Sequence, residues 1–240
     1  LRQSPYDPFV LNMLGIIKSD QNCNSDALIY HRKSIAVQPS SAALYNNMGN
    51  TLKNIKRYEA AVLNFEKAIA LNPLYSEAYN NLANTYSMMK SLSASTASFS
   101  KAVLLRPDYM QAYSNFSLHL NKQRKFNQSI KQCSRLRILK PDYDQVYSYI
   151  GLNQYRLKNC VSADRHYHKA ILLAPNKSEH YNNHGVNFQA LKKHGRAVAS
   201  INKAIVINNN NLDFFENLSR SLSNFQAESF SEQYAKNFLD

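Results

Sequence analysis

Two histidines and three cysteines are the residues of this chain whose chemistry could support a metal site or nucleophilic catalysis. His180 and His184 are four residues apart, so one face of a helix could present both imidazoles to a metal ion. No carboxylate stands where a His-Glu-x-x-His motif requires one. His184 also falls on the apolar face of its predicted helix. We therefore expect no metal site, and no cofactor is expected.

The cysteines, Cys23, Cys133 and Cys160, have no Cys-x-x-Cys spacing, and no base is placed to activate a thiolate. Dispersed cysteines in odd number favour a reducing compartment, so we expect a cytoplasmic protein. The sequence has no glycine-rich phosphate loop and no acid and base pair with catalytic spacing. It predicts a non-enzymatic chain, although the chain could be part of a larger enzyme.

Composition favours helices. The 240 residues include 5 glycines and 7 prolines, too few for the turns of an all-β protein. No run approaches the ~20 apolar residues that span a bilayer, so no transmembrane segment is expected. The chain starts at Leu1 without a secretory signal, and we expect a fragment of a longer protein. Its 29 Lys and Arg against 16 Asp and Glu make the net charge +13, which suits an anionic partner.

The helices must be organised in repeats, because six prolines recur every 34 residues and each closes an apolar run. These are Pro5, Pro39, Pro73, Pro107, Pro141 and Pro175. With the proline at position 32, the repeats are 8–41, 42–75, 76–109, 110–143, 144–177 and 178–211, followed by a partial repeat 212–240 and preceded by the end of another at 1–7.

Each repeat predicts two packed helices. Position 8 is small in every repeat, as in Gly49 and Gly151, and so is position 20, as in Ala61 and, in the partial repeat, Ser231. Small residues at both positions indicate a close crossing of the two helices. Positions 4 and 7 form the apolar face of the first helix, and positions 24, 28 and 30 form that of the second.

This pattern resembles the tetratricopeptide repeat. The second repeat matches that motif with Tyr45, Met48, Gly49, Tyr58, Ala61, Phe65, Ala68 and Pro73. The resemblance covers nearly the whole chain and implies an all-α fold, a right-handed α-solenoid (superhelix) of antiparallel helix pairs whose first helices line a groove. The chain departs from the motif at Lys18 and His31, at Leu136, and at Asn209, which replaces the recurrent proline.

Asparagine recurs at position 6, which faces the groove in this family. The resemblance implies a peptide site made of this column, its interruption Tyr149, and the inner residues of position 9: Asn47, Asn81, Asn115, Asn183, Asn217, Tyr149, Asn50 and Asn84. An amide can bond a peptide unit whatever the side chain there. The column is similar to the asparagine ladder in the repeat array of O-linked N-acetylglucosamine transferases. The alternative is that these asparagines belong to a Tyr-Asn-Asn consensus of the family, as at residues 45–47, and have no binding role.

The turn between the two helices, at positions 12 to 16, is basic and lacks carboxylates in repeats 2 to 6. Among its cations we expect Lys53, Lys122 and Arg156 to favour acidic segments of a partner. The alternative is a solvated edge whose cations offset the helix dipole. Nucleic acid is not expected, because most tyrosines fall in the packing columns. No position 5 or 6 carries a cation, so a carboxylate clamp is not expected.

The sequence predicts a protein-interaction or scaffold module that binds an extended peptide in its groove. Two alternatives stay open. The array could recruit substrate for a transferase domain outside these residues, or it could self-assemble into a homo-oligomer.

Overall fold

The computed structural model describes the backbone of residues 7–236 and the side chains of residues 7–226. Over this part of the chain all the regular elements are α-helices, thirteen in number, so the predicted all-α architecture of helix pairs is confirmed. Most of the predicted repeat end at 1–7 lies outside the described residues, as does the side chain of Ser231.

The chain divides into two compact units, the first ending at His119 and the second beginning at Leu120. The division falls inside a helix, and the predicted single array over residues 8–240 stays a prediction. Unit 1 contains α1 (Pro8–Asp20), α2 (Asn24–Val37), α3 (Ala42–Asn54), α4 (Tyr58–Leu71), α5 (Ser76–Met88), α6 (Leu92–Leu105) and most of α7 (Met110–Lys122). Unit 2 continues with α8 (Phe126–Leu139), α9 (Asp144–Arg156), α10 (Cys160–Leu173), α11 (Ser178–Ala190), α12 (His194–Ile207) and α13 (Leu212–Lys236).

A left-handed residue at position 15 follows the end of the first helix in each complete repeat. These residues have φ between 56° and 64° and none is glycine: Asn22, Lys56, Lys90, Arg124, Lys158 and Lys192. The next backbone N–H donates to the carbonyl five residues earlier in the sequence, as in Arg57 N to Leu52 O at 2.9 Å. This is the Schellman arrangement, which satisfies the last carbonyls and reverses the chain within three residues.

The second helices end before position 32. Proline disfavours helical geometry at the residue before it, and Asn72, which precedes Pro73, is extended with ψ 92°. In the sixth repeat Asn209 replaces the proline, yet α12 still ends at Ile207 and Asn208 is extended with ψ 105°. The Asn208 side chain accepts a hydrogen bond from Asn210 N at 3.1 Å, a local turn that stops the helix.

The core of each repeat forms where position 8 faces position 24. A Cβ on Gly49 would lie 2.7 Å from the Phe65 ring, and one on Gly151 would lie 2.9 Å from the Tyr167 ring. In these two repeats a side chain at position 8 would overlap the ring as it is placed. Phe65 and Tyr167 are consequently buried to 0% and 1% exposure.

The partial repeat is a single helix. Its backbone continues as α13 from Leu212 to Lys236, past position 17 where a second helix would begin. None of the described helices is long and apolar enough to cross a membrane.

Candidate peptide-binding groove

The position 6 asparagines of unit 1 are joined to the preceding first helix by side-chain hydrogen bonds. Each Nδ2 donates to the Oδ1 of the position 5 asparagine one repeat earlier. The distances are 3.1 Å for Asn47 to Asn12, 3.0 Å for Asn81 to Asn46 and 3.0 Å for Asn115 to Asn80. The three acceptor asparagines are buried, and the three donors are half-buried.

Unit 2 repeats the same connection between its first helices. Asn217 Nδ2 donates to Asn182 Oδ1 at 3.1 Å, and Asn183 Nδ2 donates to Ser148 Oγ at 3.5 Å. Serine is shorter than asparagine, so the second contact lies at the limit of a hydrogen bond. Among the position 6 asparagines, Asn183 therefore has the longest of these hydrogen bonds.

These contacts change the predicted role of the position 6 asparagines. From the sequence we expected whole amides to be available to a ligand, but one N–H of each amide is used to hold adjacent first helices together. Asn115 Oδ1 also accepts from Gln111 at 3.1 Å. Among the described residues nothing donates to Oδ1 of Asn47, Asn183 or Asn217, so these keep an acceptor for a ligand.

A cavity of about 370 Å³ opens between α9 and α11 of unit 2. It is lined by Gln145, Ser148, Tyr149, Leu152, Lys177, Glu179, His180 and Asn183. Its size falls in the ordinary range for ligand pockets, ~300 to 1,000 Å³. Two predicted residues, Tyr149 and Asn183, meet here on neighbouring first helices.

One wall of the cavity is held by a polar network in which His180 is buried and Lys177 is exposed. Asp144 Oδ2 accepts hydrogen bonds from Lys177 Nζ and His180 Nε2, both at 2.7 Å. Burial alone would raise the pKa of Asp144, but the hydrogen bonds and charges of Lys177 and His180 lower it below its ordinary value. The Nδ1 atom of His180 is buried and has no hydrogen-bond partner in the described part of the chain. The network fixes this wall before any ligand binds.

Tyr149 supplies both an apolar ring and a hydroxyl. Burial, together with the nearby Tyr143 and Cys133, raises the pKa of the Tyr149 phenol. The phenol therefore keeps its proton at neutral pH and can donate to a carbonyl oxygen. With Leu152 beside it, the cavity combines an apolar surface with donors and acceptors, as peptide sites require.

The other predicted site residues lie elsewhere. Asn50 is half-buried and accepts from Lys53 Nζ at 3.1 Å, and burial lowers the pKa of Lys53. Asn84 is half-buried in unit 1, and Lys122 is exposed. Arg156 is exposed at the turn edge of unit 2, where it lines a second cavity.

The sequence did not identify Lys177 or His180 as site residues, nor position 5 as the partner of the ladder. The available signal was the pairing of asparagines 35 residues apart, which places position 5 of one repeat against position 6 of the next. The contact between Asp144 and His180 had a weaker signal in the sequence, since the two residues are 36 apart and occupy different repeat positions, 1 and 3.

The two histidines that suggested a metal site have separate partners. His180 contacts Asp144, and His184 Nε2 lies 2.7 Å from Asp164 Oδ1. Burial lowers the pKa of His184, and Asp164 opposes that effect. Among the residues whose side chains are described, no group of three or more His, Cys, Asp or Glu could hold a metal ion.

Two family models of the tetratricopeptide repeat match this sequence, over residues 42–75 and 64–94. Residues 42–94 therefore contain tetratricopeptide-repeat sequence. Helices begin at the same 34-residue interval on both sides of the matched residues, from Pro8 to Leu212. None of the curated proteins matches the sequence.

Solved tetratricopeptide and related structures share the fold. PilF of Pseudomonas aeruginosa has a TM-score of 0.72 and 16% identity, over 92% of this chain and 97% of its own. YrrB, described as a TPR protein with an unusual peptide-binding site, has a TM-score of 0.65 and 18% identity, over 78% of this chain and 96% of its own. MamA has a TM-score of 0.62 and 20% identity, over 72% of this chain and 94% of its own. At these identities the likeness is one of fold.

Proposed function

We propose that the chain is a protein-interaction scaffold and that the groove between α9 and α11 binds an extended peptide. The observation that carries the proposal is the cavity in which Tyr149 and Asn183 meet. Apart from Lys177, its lining comes from two successive first helices, so a peptide crossing both would contact an amide, a phenol and the Leu152 side chain.

Backbone recognition suits the chemistry of this cavity. Asn183 has a long internal hydrogen bond and an Oδ1 that can accept from a peptide N–H. The Tyr149 hydroxyl can donate to a peptide carbonyl. Groups that bind peptide units tolerate different side chains, which suits a scaffold with several partners.

The groove cavity does not itself select acidic residues. Its cation, Lys177, is already bonded to Asp144, and its carboxylate, Glu179, would repel an acidic side chain. The predicted preference for acidic segments therefore rests on the cations of the turn edge, in particular Arg156.

The test begins with peptides selected from a random display library against the full chain. Their affinity is then measured for the wild type, for Asn183→Ala and for Tyr149→Ala. Loss of one hydrogen bond to a peptide unit should weaken binding about tenfold. The control is Asn202→Ala, an exposed residue of the second helix α12, which should leave affinity unchanged. Unchanged affinity in both groove variants would contradict the proposal.

The proposal assigns the chain a binding role rather than a catalytic one. The relationship to the repeat array of O-linked N-acetylglucosamine transferases stays a prediction, and the complete reading frame tests it. Self-assembly also stays a prediction, and sedimentation over a range of protein concentrations tests it.

A further inference from the structure

A second cavity, of about 530 Å³, lies at the turn edge of unit 2, between the α7–α8 turn and the α9–α10 turn. It is lined by Asn121, Arg124, Phe126, Tyr155, Arg156 and Lys158. We call it the basic cavity. No acidic residue is among those that line it.

The two turns present their cations from equivalent positions. Arg124 and Lys158 are the left-handed residues of the turns that follow α7 and α9, with φ 59° and 64°. Each is held by a 2.9 Å backbone hydrogen bond across the turn, from Lys125 N to Leu120 O and from Asn159 N to Gln154 O. The Cα positions of both cations are therefore set by the backbone of the turn.

The cations of the basic cavity are not neutralised within the described residues. Arg124, Arg156 and Lys158 form no ion pair there, whereas Arg106 is bonded to Glu77 and Lys177 to Asp144. Three like charges around one cavity repel one another, and an anion bound between them would remove that repulsion.

The remaining lining suits an anion attached to an apolar group. Asn121 Nδ2 donates to Asn153 Oδ1 at 2.7 Å, and Asn153, 1% exposed, donates to Ser129 Oγ at 3.0 Å. Asn121 is thus fixed on one side of the cavity. Phe126 and Tyr155 are half-buried and add aromatic surface. The guanidinium groups of Arg124 and Arg156 can each form two parallel hydrogen bonds to the oxygens of a phosphate.

Helix α9 borders both the basic cavity and the groove cavity. Leu152 lines the groove, and Tyr155 and Arg156 follow it by about one helical turn, or ~5 Å along the axis. We propose that the basic cavity binds a phosphate monoester carried by a side chain of the peptide in the groove. The peptide part of this inference rests on the proposed function.

Two probes test the cavity alone. Phenyl phosphate and inorganic phosphate are titrated into the full chain at constant ionic strength, and binding is followed by amide NMR shifts. We expect saturable shifts in α9 and in the two turns, with phenyl phosphate the tighter ligand because its ring can contact Phe126 and Tyr155. Arg124→Gln and Arg156→Gln should each weaken binding about tenfold, the effect of losing one charged hydrogen bond.

The matched control is Lys192→Gln. Lys192 has the same left-handed position, φ 56°, in the next turn of unit 2 and does not line the cavity. It should change affinity less than twofold. If the control and the arginine variants lose the same affinity for phosphate, the binding depends only on the general surface charge, and the inference is overturned. Binding of a single-stranded oligonucleotide at these residues, without binding of phenyl phosphate, would also overturn it.

The peptide part is tested with a groove-selected peptide that carries phosphoserine at each position in turn. We expect one position to gain about tenfold in affinity, and Arg156→Gln to remove that gain. If the unmodified peptide binds and no phosphorylated position gains, the peptide part is wrong while the proposed function stands. If no peptide binds but phenyl phosphate does, the proposed function and the peptide part both fail, whereas the phosphate site stands.

Discussion

His31 occupies the core position 24 of the first repeat, where the second repeat carries Phe65. The imidazole is 1% exposed, its Nε2 lies 3.1 Å from Thr51 Oγ1, and its Nδ1 is buried without a hydrogen-bond partner in the described part of the chain. Burial lowers the pKa of His31 from 6.5 to about 4. The folded chain therefore holds this side chain neutral well below pH 6.5.

The sign of the resulting pH dependence follows from proton binding. Between pH 6.5 and about 4 the unfolded chain protonates His31 and the folded chain does not, so the free energy of unfolding falls as pH falls. A lowering of roughly 2.5 in pKa, at about 1.36 kcal/mol per pKa unit, corresponds to a loss of about 3 kcal/mol by pH 4.

Replacing His31 by phenylalanine should remove this loss. The ring fits the site, because a Cβ on Gly15 would lie 2.6 Å from the His31 ring and one on Gly49 would lie 2.7 Å from the Phe65 ring, the same arrangement. Thr51 Oγ1 would still donate to Asn47 O at 3.3 Å. Without the unpaired Nδ1, His31→Phe should be more stable than the wild type by about 1 kcal/mol at pH 7.

The assay is urea unfolding of both chains, followed by circular dichroism at intervals from pH 7.5 to pH 4. The advantage of His31→Phe should grow by up to about 3 kcal/mol as the pH falls to 4. Asn202→Ala is the control, since Asn202 is exposed and carries no titratable group, so its replacement should give a difference independent of pH. A constant difference between His31→Phe and the wild type would refute the reasoning, as would a less stable variant at every pH.

Three further sets of substitutions test the local structure by urea unfolding. Asn46→Ala and Asn81→Ala should show a coupling of about 1 kcal/mol in a double-mutant cycle, because their side chains share a 3.0 Å hydrogen bond; zero coupling would contradict the ladder. Lys90→Gly should stabilise by about 1 kcal/mol because φ is 61°, whereas Lys90→Ala should bring no such gain; equal effects would contradict the left-handed turn. Gly49→Ala should destabilise by about 1 to 3 kcal/mol, since its Cβ would meet a ring at 2.7 Å, and Gly195→Ala, with 3.4 Å to its nearest atom, should not; the opposite order would contradict this packing.

Helix positions could be predicted from the sequence because they depend on periodic features of single repeats. The prolines, the small residues of position 8 and the apolar columns predict two helices per repeat, and the structure shows them from α1 to α12. The basic residues of position 15 were interpreted through their charge, either as a surface for acidic partners or as an offset to the helix dipole. Their left-handed backbone had no glycine to indicate it, so that feature required coordinates.

The candidate site was predicted only in part, because it depends on contacts between repeats. Asn183 and Tyr149 follow from the position 6 column, and both line the groove cavity. The pairing of Asn81 with Asn46 depends on how far one first helix is shifted along the next. The contact of Asp144 with His180 depends on the same shift, which no single repeat specifies.

The location of a bound peptide tests the central claim most directly. Backbone and side-chain amide resonances of the full chain are followed by NMR during titration with a groove-selected peptide. We predict the largest shifts at inward positions of α9 and α11, including the side-chain amide of Asn183. Shifts confined to the second helices α10 and α12, with Asn183 unchanged, would contradict the account.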